Sequence, residues 1–476
     1  MGMDSQLGQY ILRVSLPVDP HNKTACEIAT LEYLRAKTNV PIPQVYAYST
    51  SSRNPIGYEY MLEEFMPGIL LSKRRNKLSS AQLSTVIRQL AVYQAQLFHR
   101  CFSAIEGLQK TADGDFAPST MAAIQFLWYQ RVRDPIYKGL FDSTNSWMRT
   151  LLQLMRNETQ RLYDEDMAAS QSDSESDEED EGSDYEPVLN NIVYLLQHLP
   201  EVLEKLSLDA VGDVHATGTV LYHPDLSTHN ILIDPRTARI TAIIDWENVS
   251  AVPLWAGCEL PVVLAPYAKP RHEKPNREDY ADMDQDKYMQ RTKESGFDNE
   301  GKEPQFWKHE FEWQQTQLQA VFLEEMRQIC PEWVEMYRKS EALRDFANVM
   351  MLVDNIWEAE RVKEFIDRLE SGERRSFVKV RFEREAIHIA DLVGEGVEEQ
   401  AADKGGHDQQ DRPPAMLPSL QGADGSEQNT KTGTLADVRG VSATVAGLLL
   451  AVWQRFMRIL GGNDEGHVDR RAQSSK

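Results

Sequence analysis

The chain has 476 residues, 41% of them hydrophobic and 26% charged, which is ample for a buried core and more length than one core usually organises. With 51 Lys+Arg against 74 Asp+Glu its formal charge is −23, which argues against general binding to nucleic acid, because such a chain repels phosphate backbones. Four cysteines with no CxxC spacing argue against a disulfide scaffold. The sequence shows no signal-peptide core and no apolar run of the roughly 18 residues that a spanning helix needs. The expected setting is the cytoplasm, with mitochondrial or membrane-peripheral association as alternatives.

In chain order, residues 9–16 (QYILRVSL) read as a short strand with a basic residue inside an apolar run. Asn22 is the expected cap of a helix over 23–37, striped by Ile28, Leu31 and Leu34. VPIPQVYAY (40–48) is extended, since its prolines cannot propagate a helix. YEYMLEEFMPG (58–68) reads as a strand ending in a Pro-Gly turn, with Glu63 and Glu64 expected to be solvated. Leu83, Val86, Ile87, Leu90, Leu97 and Phe98 predict an amphipathic helix over about 80–100. The change from strand-rich to helical composition sets an expected N-lobe at 1–68 and a C-lobe at 69–395.

An acidic, serine-rich block at 168–188 reads as a disordered insertion, because it carries too little apolar area to offset its ordering entropy. Helical periodicity returns over 187–208. Two short apolar strands follow, 231–234 and 240–245, about a turn at Pro235-Arg236-Thr237. Residues 268–303 are polar and expected to be a loop. A later helix places Trp307, Phe311, Leu318 and Phe322 on one face. Residues 396–440 read as a disordered linker and 461–476 as a disordered tail. Between them, 441–460 is an amphipathic segment with three readings: an interfacial membrane helix, a partner-docking helix, or a helix packed back on the body.

The chemistry-bearing stretch is His223-Pro224-Asp225-Leu226-Ser227-Thr228-His229-Asn230, followed by Ile243-Ile244-Asp245-Trp246. It sets a carboxylate and a carboxamide five positions apart before one strand, and a second carboxylate at the end of the next. In a hairpin Asn230 and Asp245 face one small volume. Phosphoryl transfer needs such a set: one carboxylate to orient the attacking hydroxyl, and hard oxygen ligands for Mg²⁺ on the phosphates. Asp225 suits the first role, Asn230 and Asp245 the second. His223 reads as a buttress of the loop, His229 as filler, Trp246 and Trp255 as core.

HPDLSTHNILID and ITAIIDWE resemble the catalytic loop and metal-binding segment of the aminoglycoside phosphotransferase / choline kinase-like family, whose pattern parallels H-R-D-L-x-x-x-N and D-F-G of protein kinases. YILRV, KTACEIATLEYL, IPQVYAY and YEYMLEEFMPG are similar to consecutive N-lobe elements of that family. The resemblance implies an α+β, bilobal protein-kinase-like fold, with ATP and Mg²⁺ as cofactors and a small-molecule hydroxyl as acceptor. It also implies roles: Asp225 as catalytic base, Asn230 and Asp245 as metal ligands, Arg13 at the nucleotide phosphates, Glu27 as anchor of that cation, and Glu64, Phe65 and Met66 as the adenine-holding hinge. Two departures stand out. Arg13 replaces the usual Lys, and the strand–loop–strand that covers the phosphates in the family is not found before Tyr10, which reads as an N-terminally truncated lobe. They motivate an alternative expectation, a catalytically inactive pseudokinase-like scaffold.

Overall fold

The computed structural model describes residues 9–127, 130–172, 183–206, 218–266, 268–276 and 304–372. The expectations for 277–303, 396–440, 441–460 and 461–476 lie outside these residues.

The N-terminal part is a three-stranded antiparallel sheet with one helix laid on it. β1 (Tyr10–Ser15), β2 (Val45–Ser49) and β3 (Glu59–Glu64) pair in the order β1-β3-β2, with Arg13 opposite Met61. β3 alternates buried and half-buried positions, so its inner face carries Glu59, Met61 and Glu63. Glu63 is therefore buried rather than solvated, as its place in a charged run had suggested. α1 (Asn22–Lys37) buries Ile28, Leu31 and Leu34 against this sheet. Asn22 does not cap it. The capping position falls on His21, whose φ of 73° is left-handed and whose N–H donates to Glu59 Oε1 at 2.5 Å. The Asn22 amide instead donates to Asp19 and accepts from Thr120 Oγ1 at 2.9 Å.

The chain crosses to the larger part through residues 65–68. Gly68 has φ 129°, and a Cβ there would lie 2.4 Å from Thr241 Oγ1, so this crossing has no room for a side chain. β4 (Ile69–Leu70) then pairs with β9 (Ile231–Ile233), which pairs with β10 (Ile240–Ile243). Ile243 N–H also donates to the Pro41 carbonyl at 2.8 Å, so the extended 40–44 stretch rests on the end of β10. After a short turn, α2 (Leu71–Arg74), comes α3 (Ser80–Phe98), opened by a reciprocal capping box between Ser79 and Gln82.

Besides β4, five strands among the described residues escape hydropathy reading. β5 (Cys101–Phe102), β8 (Thr219–Tyr222) and β11 (Ser250–Pro253) form one sheet; β6 (Gly107–Lys110) and β7 (Phe116–Ser119) form a hairpin against α1. At two to four residues each they are too short to show a period. The remaining α-helices among the described residues are α4 (Ile124–Leu127), α5 (Thr144–Ser172), α6 (Tyr185–Leu206), α7 (Leu254–Gly257), α8 (Pro304–Ile329), α9 (Pro331–Lys339), α10 (Glu341–Leu352) and α11 (Ala359–Ser371). α5 and α6 run into the expected acidic insertion from both sides, so its described edges are helical; Ser183 Oγ donates to Asp166 at 2.6 Å across them. Of the face expected for α8, Leu318 and Phe322 are buried, whereas Trp307 is 37% exposed.

Two cores result. One joins α1, α3, α8 and the strands β9 and β10; the other joins α5, α6, α10 and α11. The molecule is thus a bilobal α+β protein, with a small sheet-rich N-terminal part on a larger helical one.

Candidate active site

The loop between β8 and β9 is anchored from beneath. His223 is buried, and its Nε2 lies 3.2 Å from the Ile244 carbonyl, so that nitrogen carries the proton. Its ring meets Trp246 edge-on at 4.9 Å. Burial pushes its pKa down to about 4, leaving the ring neutral near pH 7. The imidazole therefore fastens the loop to the strand end that precedes Asp245, which is the buttressing role expected of it.

Above this anchor the carboxamide organises the acid. Asn230 Nδ2 donates to the Asp225 carbonyl at 2.8 Å and to Asp225 Oδ2 at 2.9 Å. With Nδ2 turned inward, Oδ1 is the atom of Asn230 left for a ligand. Ile244 N–H donates to the Asn230 carbonyl at 3.0 Å, which sets the two strand ends side by side. Burial raises the Asp225 pKa, while hydrogen bonds from Ser227 and Asn230 pull it down.

Asp245 stands at the end of β10 with φ 66°, a left-handed conformation that aspartate tolerates better than most residues and that turns its side chain off the strand. Its carboxylate is 42% exposed. Its pKa is raised by burial first, then by Glu247 and Asp225, with Arg13 opposing. These crowded carboxylates are the electrostatic condition that a bound cation relieves. An amide oxygen beside a carboxylate is also the hard-oxygen donor set that magnesium takes, usually alongside phosphate oxygens.

The cationic half comes from the N-terminal sheet. Arg13 Nη1 donates to Glu27 of α1; its Nη2 lies 3.5 Å from Asp245 Oδ1 and 3.4 Å from Glu247 Oε2. Lys23 Nζ meets the same Glu247 oxygen at 2.5 Å. Burial pushes Glu27 up to about 7 against the pull of Arg13. Burial also works against the Arg13 charge, but Glu27, Glu63, Asp245 and Glu247 together outweigh it and raise its pKa. Arg13, Glu27 and Asp245 are thus in one cluster, and Asp225 with Asn230 borders it.

The expected hinge residues lie where the chain leaves β3. Glu64 N–H is taken by the Gln44 carbonyl at 2.8 Å and Phe65 N–H by the Gln9 carbonyl at 3.3 Å. Met66 makes no hydrogen bond among the described residues. Lys23 and Glu247 were missed by sequence reasoning. Lys23 lies one helical turn before Glu27 and Glu247 two residues after Asp245, so their spacing from residues that the resemblance had already placed was the signal available for both.

A family profile described as "Phosphotransferase enzyme family" matches residues 3–257, more than half of the chain. The chain belongs to the phosphotransferase enzyme family. Among curated relatives, a subtelomeric hrmA-associated cluster protein of Aspergillus fumigatus is 27% identical over 274 residues, 52% of this chain and 54% of the relative. The chain therefore spans about half the length of that relative. Altered inheritance of mitochondria protein 9, mitochondrial, of Eremothecium gossypii is 27% identical over 150 residues, 29% of this chain and 22% of that one. Among solved structures, the ADP-bound aminoglycoside phosphotransferase APH(2'')-Ib aligns over 78% of this chain and 88% of its own at 11% identity and a TM-score of 0.37. Aminoglycoside-3'-phosphotransferase of type VIII aligns over 70% and 84% at 18% identity and a TM-score of 0.31. Family membership rests on the profile, not on these superpositions. Among the described residues no helix is long and apolar enough to cross a membrane.

Proposed function

We propose that this family member is an ATP- and Mg²⁺-dependent phosphotransferase acting on a hydroxyl of a small molecule. The observation that carries the reading is the meeting of two halves at one place: Asn230 holding Asp225, and Arg13, anchored on Glu27, reaching Asp245 at 3.5 Å.

Asp225 is the catalytic base. With Oδ2 held by Asn230, its other oxygen is available to an acceptor hydroxyl and takes that proton as the new oxygen–phosphorus bond forms and the bond to the leaving diphosphate breaks. Asn230 Oδ1 and the Asp245 carboxylate are the metal ligands. Arg13 turns from Asp245 to the phosphates, and Glu27 keeps its guanidinium from swinging away. Met66, beside Glu64 and Phe65, offers a backbone edge for adenine at the crossing between the two parts. When bound, the magnesium nucleotide supplies the transferable phosphoryl group and the positive charge that screens it. The chain contributes positioning and charge placement.

Calorimetric titration of MgATP into the purified chain and into Asp245→Ala tests this. Binding that the substitution eliminates is the expected result; no binding by the unsubstituted chain, or equal binding by both, defeats it. The acceptor class is then sought by coupling transfer to a panel of hydroxyl compounds, with the relatives' aminoglycosides as one arm.

A further inference from the structure

A cavity of about 530 Å³ lies far along the chain from the Asp225 loop, between the turn at 131–135 and the middle of α5. Arg133, Arg156 and Arg161 all line it. Their neighbour Arg131 shows what the chain does with an arginine it needs only for structure. Arg131 is buried and neutralised twice, by Glu158 at 2.6 Å and by Asp354. The three lining arginines have no carboxylate partner among the described residues. Arg161 is held by neutral groups alone, donating to Gln130 Oε1 at 2.5 Å and to the Asn157 carbonyl at 3.2 Å. The one acid of the lining, Asp134, accepts from Asn157 Nδ2 at 3.0 Å and from the Ile136 N–H at 3.3 Å and pairs with none of the three arginines.

In a chain with a formal charge of −23, three arginines lining one cavity without a carboxylate partner among the described residues are an exception to the overall balance. Like charges around one cavity repel unless an anion enters it. Guanidinium forks match phosphate oxygens two at a time, and the volume suits a metabolite-sized molecule. We propose that this cavity binds a phosphorylated small molecule through Arg133, Arg156 and Arg161, at a site separate from the phosphotransfer site. The inference does not depend on the function proposed above.

The probe is inorganic pyrophosphate without divalent cation, titrated calorimetrically into the full chain, with citrate as a carboxylate of comparable charge. The expected result is one site in the chain and in Arg13→Met alike, since Arg13 is the cation that faces the phosphates at the other site. Arg133→Gln/Arg156→Gln should weaken it about tenfold or more, the loss of two charge-assisted contacts. Raising the salt should weaken it further. Should the double variant melt early, Arg156→Gln alone is read in its place, with a loss of about threefold or more expected. Absence of a site, equal affinity in the variants of Arg133 and Arg156, loss of binding in Arg13→Met, or citrate binding as tightly as pyrophosphate each overturns the assignment.

Discussion

The two sheets that meet at the site are built on opposite terms. The β9–β10 pair is buried on nearly every position, and its strand ends are tied by backbone bonds and by His223. The β1-β3-β2 sheet leaves its outer face open: Tyr10, Leu12 and Val14 of edge strand β1 and Tyr46 and Tyr48 of β2 are all about half exposed. The acid half of the site therefore sits on rigid, dry scaffolding. The cation half hangs on an edge strand whose arginine is held by ion pairs on a partly wet surface. A hydrogen-bonded loop keeps its geometry without ligand; an arginine shared among Glu27, Asp245 and Glu247 has several partners to choose between, and a ligand can re-sort them.

That contrast can be broken by substitution. The largest effect is expected on the acid half: Asp225→Asn should lower transfer by about a thousandfold while nucleotide affinity stays within about twofold, read by coupled assay and calorimetry. Retained turnover would falsify the role of Asp225. On the cation half, Arg13→Met should weaken nucleotide binding by about tenfold and Lys23→Met by less, since the ion pair that Lys23 makes is with Glu247 and not with Asp245. Equal losses would mean that Lys23 itself contacts the nucleotide.

The brace between α1 and the β6–β7 hairpin sharpens the comparison further. At Gly107 a Cβ would lie 2.3 Å from the Thr120 carbonyl and 3.0 Å from Cys26 Sγ of α1. Gly107→Val should cost about 1–3 kcal/mol in chemical denaturation and reduce nucleotide affinity with it, because it pushes on the helix that carries Glu27. The smallest effect concerns pH. Glu106 is buried, one carboxylate oxygen lacks a partner among the described residues, and burial pushes its pKa up to about 7. Between the ordinary glutamate range and pH 7 the folded chain holds a proton that the unfolded chain has lost, so stability from this group falls as pH rises. Glu106→Gln should therefore stabilise the chain above pH 7 and change little below pH 5, as thermal melts across that range will show.

The acid half was the more legible in sequence, for a physical reason. Asp225, Asn230 and Asp245 are close along the chain, so loop length and strand alternation place them together without knowledge of the rest of the fold. Arg13 and Glu27 were legible only through the resemblance, since nothing in their spacing says that β1 and α1 face Asp245. The strands at 101–119, 219–222 and 250–253 were not legible, because two to four residues show no period, and in one pair the partners Cys101 and Val220 are also more than a hundred residues apart. Glu63 misled for a different reason: alternation puts it on the face of Met61, while its charge suggests solvent, and here the sheet won. Asn22 was expected to cap α1, but backbone geometry moved that position to His21.

The bracing of α1 has a consequence for Glu27. The helix is gripped on its far side by the hairpin, through Asn22 with Thr120 and the tight fit of Cys26 under Gly107, and on its near side by Arg13. It is a wall of the cleft and not a lever. Moving Glu27 away from Arg13 would mean prising the helix off two surfaces at once, so among the described residues the position of Glu27 is set by the packing of α1 and not by Arg13 alone.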